Sequence, residues 1–279
     1  MNITAPPHDG INEWVINAGW QARKQGATIE QAITALKRFE PGMRRPFKSG
    51  EVERALRKVY DAHLPQKDRQ PPKPAVWSPV MSRQAFDRSG ITLADLDDMS
   101  PYNGFDIPTG DLLRDLFPDP EGLVCIGRGV GKFDTRLISE FKSLANAELV
   151  VAAYMTKRRG TTLEGRTSAH AKSNTGERRF CVCDFDKPDP EYHAAITYQL
   201  MRTYKLVLTL TSGGKSLHSW FAVEPTEQKN FWRLAIRLGA DPALERNRSQ
   251  FVRLPNGRRS SNGKKQAVFY YNPTHIPTS

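Results

Sequence analysis

The residues best equipped for chemistry fall in a few short stretches of the second half of the chain. The first is 179-RFCVCDFDKP-188, an apolar run that finishes in Asp184 and Asp186. Side chains alternate along an extended strand, so acids at i and i+2 share one side, about 7 Å apart at their Cα atoms. Two carboxylates placed this way repel each other and lose hydration together, and a divalent cation offsets both penalties. Carboxylate oxygens are the donors Mg²⁺ prefers, with substrate phosphates completing its shell. A plainer alternative is that the strand stops at Cys183 and both aspartates occupy a solvated turn before Lys-Pro-Asp-Pro. From these residues alone both readings stand.

The second stretch, 211-TSGGKSLHSWF-221, is a glycine-rich turn between two apolar strands, with Lys215, Ser216 and His218 at the mouth of a hairpin. Backbone N–H groups at Gly213 and Gly214 can approach an anion closely, Lys215 adds a point charge, and His218 can donate to a phosphate oxygen. GGKS resembles the end of a nucleotide-binding P-loop, but the earlier glycine that loop requires is Thr209 here. The other glycine-rich candidate, 127-GRGVGK-132, has Ile126 where its first glycine should be, so an ATPase P-loop is excluded. The third stretch runs from 239 to 259. Asp241 before Pro242 suits a helix N-cap as well as it suits a ligand. Arg253 sits in an apolar strand, where an arginine needs an anionic partner, and a substrate phosphate is one. Two polar, basic segments flank these motifs: 157-KRRGTTLEGRTSAHAKSNTGERR-179, with Arg166 and Lys172, and the turn-rich segment after Leu254, with Arg258, Arg259, Lys264 and Lys265. Both suit a nucleic-acid backbone, and both suit an ordinary solvated surface.

Strand candidates by β-branched and aromatic content are 123–127, 148–154, 179–186, 205–211, 217–223, 250–255 and 266–271. Helical patterns lie around 109–117, 134–146, 190–203 and 226–238, and this interleaving implies a mixed α/β or α+β domain. Residues 10–63 read as three short helices. Gly26 stops the first, Thr28 and Gln31 have capping-box spacing for the second, and Ser49 is placed to cap the third. Their polar faces carry Arg23, Lys24, Lys37, Arg38, Arg44, Arg45, Lys48, Arg54, Arg57 and Lys58, a solvated face or a nucleic-acid surface. The intervening LPQKDRQPPKPAVWSP has the composition of an extended linker.

The chain has 279 residues, 41 Lys and Arg against 30 Asp and Glu, and a net charge of +11. That balance favours a polyanionic partner, since each neutralised phosphate releases counterions. Three cysteines without a Cys-x-x-Cys pair argue against a disulfide framework and a structural zinc site. No run of about 18 apolar residues and no secretion signal is evident, so a cytoplasmic protein without a membrane span is expected.

The order of elements is more specific than any one of them. A strand ending Asp-x-Asp, a helix, a strand, a glycine-rich turn into Ser-x-His, and an acid ahead of a strand bearing Arg-x-Pro together resemble the archaeo-eukaryotic primase superfamily, including the primase-polymerases of phages and plasmids. The resemblance covers Arg179 to Pro273. Matched by position, Asp184 and Asp186 correspond to its first metal-binding motif, and Ser216 and His218 to its nucleotide-binding Ser-x-His. Asp241 is the best match to its third, acidic motif, with Glu224 and Glu245 nearby, and Arg253 resembles an arginine near the nucleotide.

The segment RRPFKSGEVERALRKVY resembles the helical domain attached to such primases, although here it precedes the catalytic part. The resemblance therefore implies an α+β fold: an RNA-recognition-like catalytic sheet packed with an N-terminal α/β module, preceded by a small helical domain. The corresponding divisions are a helical domain at 1–64, a linker at 65–79 and a catalytic domain at 80–279. It further implies a DNA primase or primase-polymerase acting in DNA replication. Two Mg²⁺ or Mn²⁺ ions would sit on Asp184, Asp186 and Asp241, with His218 also catalytic, and Lys215, Ser216 and Arg253 on the triphosphate. Its partners would be nucleoside triphosphates, a single-stranded DNA template held in part by Arg166, Lys172, Arg258 and Arg259, and a separate helicase. Two other readings remain open: an inactive DNA-binding or replication-initiation protein, identified by salt-dependent binding without synthesis, and a metal-dependent nuclease.

Overall fold

Three helices, α1 (Ile11–Lys24), α2 (Ile29–Lys37) and α3 (Glu51–Asp61), occupy the first part of a computed structural model that describes residues 11–42, 46–61, 74–129 and 131–278. They belong to the first of two units, Met1–Pro74 and Ala75–Ser279. Trp14, Val15, Ala18, Ala32, Leu36, Val52 and Leu56 form its buried core. Thr28 caps α2 reciprocally, accepting from the Gln31 N–H at 3.3 Å while the Gln31 side chain accepts from the Thr28 N–H at 2.9 Å. Helices α1 and α3 touch closely at Gly19, where a Cβ would come within 2.5 Å of Leu56. Some of the basic face is engaged internally: Arg23 donates to the Val59 and Tyr60 carbonyls, and Lys37 pairs with Glu53 at 2.9 Å. Arg44, Arg45 and linker residues 65–73 lie outside the described residues.

The second unit is α+β. It opens with α4 (Pro79–Ser89), α5 (Leu93–Asp98) and α6 (Thr109–Leu116). Next come β1 (Leu123–Gly127), β2 (Phe133–Leu137), β3 (Leu149–Val151), β4 (Gly160–Thr161), β5 (Thr167–Ser168) and β6 (Cys181–Asp184). After these follow α7 (His193–Met201), β7 (Lys205–Thr211), β8 (Leu217–Ala222), α8 (Gln228–Leu238), α9 (Pro242–Arg246), β9 (Phe251–Arg253) and β10 (Val268–Tyr271). The strand pairings among the described residues are antiparallel throughout. One four-stranded sheet has the order β2-β1-β3-β9, another has the order β10-β7-β8-β6, and β4 and β5 form a separate hairpin. A single hydrophobic core joins the two larger sheets, contributed by Val124, Ile126 and Val150 from one and Val182, Leu208, Trp220 and Phe221 from the other. Among the described residues no helix is long and apolar enough to cross a membrane.

Strands β1 and β7 have the expected bounds, whereas the expected helix at 134–146 is absent. Leu137, Phe141 and Leu144 have helical spacing, but Phe133, Thr135 and Leu137 also alternate, and the pairing of β2 with β1 decides between the two patterns. The Thr135 hydroxyl donates to the Ala169 carbonyl at 2.6 Å and fixes that strand, which gives way to a 3₁₀ turn at Ile138–Glu140. Residues 75–78, linker by composition, lie against the second unit: the Ser78 N–H donates to the Arg237 carbonyl, and the Trp77 indole N–H donates to Ser82. Ser78 then caps α4, with Pro79 at its first position.

Candidate active site

Strand β6 ends at Asp184, directly opposite His218 of β8. The register brings the His218 Nε2 within 3.2 Å of Asp184 Oδ2, with only 4% of the histidine exposed. A carboxylate accepts, so Nε2 carries the proton in this pair. Asp184 Oδ1 and His218 Nδ1 are buried and have no hydrogen-bond partner among the described residues. Burial works to raise the Asp184 pKa, but the His218 charge and hydrogen bond, the Ser216 hydroxyl and the Arg253 charge outweigh it and hold the carboxyl below its usual range.

The chain stays extended for one residue past the strand, because Phe185 bridges to Ala240 and buries its ring. Asp186 therefore faces the same cleft as Asp184 while lying outside β6. This arrangement falls between the two sequence readings. The repulsion of Asp184, then burial, then the charge of Asp241 raise the Asp186 pKa above the ordinary carboxylate value. Asp241 is tied to the strand end, since its N–H donates to the Asp184 carbonyl at 2.8 Å. Its own carboxylate caps α9, accepting from the Ala243 N–H at 2.9 Å, and it does not line the cleft.

The opposite wall is cationic. Ser212 closes the turn by donating its N–H to the Ser216 carbonyl at 2.9 Å, and Gly213 adopts a φ of +68° that a side chain would resist. Gly214 leaves room for Arg259: a Cβ there would come within 2.5 Å of the guanidinium. Lys215 is exposed beside them. Arg253 reaches in from β9, its Nη1 3.8 Å from Oε1 of the buried Glu148, whose other oxygen accepts the Ser260 N–H. Together Asp184, Asp186, Lys215, Ser216, His218, Arg253 and Arg259 border one cleft of about 670 Å³. Arg166, Lys172 and Arg258 are exposed and lie outside it.

Three contributors carry no signal in the sequence. His193, which is buried, lines the cleft and holds the turn after Asp186 through an Nε2 contact of 3.1 Å to the Pro188 carbonyl. Lys187 lines the same cleft. Glu148, the residue before β3, holds Arg253 from beside its strand partner Leu149. Only cross-strand register reveals Glu148, and nothing in the spacing of His193 marks it.

Among the described residues no three His, Cys, Asp or Glu side chains form a ready metal cluster. The pair Asp184 and Asp186 nonetheless suits a hard cation: one buried carboxylate oxygen lacks a partner, and the second carboxyl is disfavoured by its neighbour's charge. No family model matches the chain, and no curated protein matches it. Among solved structures it is similar to the AEP domain of the cyanophage S-2L primase-polymerase, at 16% identity and a TM-score of 0.42, over 61% of this chain and 97% of that one. A likeness that distant fixes neither family nor activity.

Proposed function

We propose that the cleft carries out nucleotidyl transfer on single-stranded DNA, as a primase or primase-polymerase. The observation that carries this reading is the meeting in one cleft of the neighbouring carboxylates Asp184 and Asp186 with Lys215, Arg253 and Arg259, cations of the kind that take phosphates. In the reaction a 3′-oxygen bonds to the α-phosphorus of a nucleoside triphosphate, the bond to pyrophosphate breaks with its electron pair leaving on pyrophosphate, and the hydroxyl proton passes to solvent water. Lys215, Ser216, Arg253, Arg259 and the turn at Gly213–Gly214 would hold the triphosphate in line. Asp184 and Asp186 would hold Mg²⁺ or Mn²⁺, with Asp241 as the third acid the family resemblance suggests. Such ions supply Lewis acidity, lowering the pKa of the attacking hydroxyl and neutralising the leaving group. His218 keeps Asp184 ionised and oriented, which makes it a positioning residue in this geometry. Glu148 does the same for Arg253. A polyanionic template accords with the net charge of +11, and duplex opening would fall to a separate helicase.

The test is incorporation of labelled nucleotides on single-stranded DNA, with and without a primer, in Mg²⁺ and in Mn²⁺. Wild-type synthesis should fall by more than about 10³-fold in Asp184→Asn, the loss of several kcal/mol of charge stabilisation. Cleavage of labelled DNA without incorporation would identify a nuclease instead, and DNA binding with neither activity would leave only a binding protein.

A further inference from the structure

Among the described residues, neither those of 127-GRGVGK-132 nor the basic residues near them take part in the cleft. They border another concavity, of about 460 Å³, at β2, the edge strand of the first sheet. Arg128 and Lys132 reach it from the β1–β2 turn, Arg136 from β2, and Lys142 from the segment after the 3₁₀ turn. The one acid in its lining, Asp134, is occupied by Arg136 at 2.6 Å. Among the described residues Arg128, Lys132 and Lys142 form no ion pair, the Arg128 guanidinium donating to the Ser143 carbonyl at 3.4 Å. Phe141 and Leu144 line it as well, half-buried where they pack on the main core. Cations beside an aromatic ring are the combination that holds a single polynucleotide strand, the cations taking phosphates and the ring a base face.

Neighbouring residues link the walls of the concavity and the cleft. Ala147, another lining residue, accepts the Arg258 N–H at 3.1 Å, and the next residue, Arg259, lines the cleft. Gly129 of the turn lies beside Ser260, whose hydroxyl would be 3.8 Å from a Cβ at that position. Across the sheet, Gly127 pairs with Leu149 and Leu149 with Arg253, which is two strand spacings, about 10 Å.

We propose that this groove binds the phosphate backbone of a single DNA strand and leads it toward the cleft. The strand's destination rests on the nucleotidyl-transfer reading, whereas binding in the groove does not.

The experiment measures, without divalent metal and over a range of salt, the affinity for a fluorescein-labelled oligodeoxythymidylate of about 20 nucleotides, longer than a typical single-strand site. Lys132→Ala/Lys142→Ala, both exposed positions, should bind roughly tenfold more weakly at low salt, with the salt slope shallower by about 1.4, or 0.7 for each lost phosphate contact. Lys205→Ala/Lys229→Ala removes the same charge from exposed positions, one at the start of β7 and one in α8, and should bind like wild type. Wild-type affinity and slope in the groove variant, or an equal loss in the control, overturns the proposal. Displacement of the oligonucleotide by free dTTP at concentrations near the oligonucleotide's own would assign the groove to mononucleotides and overturn it as well. Failure of the cleft reading has a different signature: a wild type that incorporates nothing, while the groove variant still loses the oligonucleotide, leaves the groove standing.

Discussion

Strand β6 delivers Asp184 and the turn beyond it delivers Asp186, two residues apart and into the same cleft, yet the two environments act on a carboxyl in opposite senses. Asp184 is held by ladder register against His218, and the nearby positive charges overcome its burial, so it is ionised and fixed. Asp186 is exposed, set beside a like charge, and biased toward its proton. A pair built this way has one rigid anchor and one adjustable ligand. Within the described structure only the weaker attractions of His218 and Lys187 oppose its repulsion, and a bound cation would relieve it. The contrast therefore identifies the strand end as the structural half of the site and the turn as its responsive half.

The largest effect should come from breaking the anchored half. His218→Leu leaves Asp184 charged and mostly enclosed, and stranding one member of a buried pair costs about 2 kcal/mol once the partial exposure of Asp184 is allowed for. For a unit of this size the unfolding midpoint at neutral pH should fall by roughly 4–8 °C. Adding Asp184→Asn in the same chain removes the stranded charge, so the double variant should recover part of the loss. A double variant less stable than His218→Leu alone would mean that Asp184 is held by something other than the histidine.

A smaller effect, on activity, follows from the responsive half. Because the Asp186 pKa lies above the ordinary carboxylate value and that of Asp184 below it, the first proton to enter the pair as pH falls goes to Asp186. Incorporation should then decline on the acid side at a pH above the usual carboxylate range. Metal and proton compete for the same oxygens, so raising Mg²⁺ should move that limb to lower pH. A limb indifferent to Mg²⁺ would assign the titration to another group.

How much of this is legible in the sequence varies with the range of the interaction. The Asp-x-Asp run, the glycine turn and the α2 capping box are local patterns, and their placement on a strand end, a hairpin and a helix follows from spacing over a few residues. The meeting of Lys215, Arg253 and Arg259 in one cleft needs β9 to cross to β3 and the segment after it to fold back over Gly214, and no local pattern encodes that. Glu148 is the clearest case, an acid indistinguishable from the start of an apolar strand until the neighbouring strand supplies Arg253. The mistaken helix at 134–146 has the same cause in reverse, since Thr135 is committed by a partner 34 residues away, and tertiary pairing overrides a helical period that stays unused. The sequence suggests Arg259 as a contact for a nucleic-acid backbone, whereas its packing against Gly214 places it in the wall of the cleft.

The smallest effect isolates Asp186 without any catalysis. The folded state binds its proton more tightly than the unfolded chain does, so its contribution favours folding below the unfolded pKa and is lost as pH rises through the folded one. At neutral pH and without metal, Asp186→Asn removes a charge that the fold disfavours, and the unfolding midpoint should rise slightly above wild type. The difference should shrink as pH falls and wild-type Asp186 itself becomes neutral. Mg²⁺ should reverse the order, because wild type gains about 1.4 kcal/mol at ten times the metal's dissociation constant and the variant gains less. Thermal unfolding at pH 7, with EDTA and then with Mg²⁺, reads both signs. A variant less stable than wild type in EDTA would show that Asp186 has a partner in the fold, and the division into a structural and a responsive carboxylate would no longer hold.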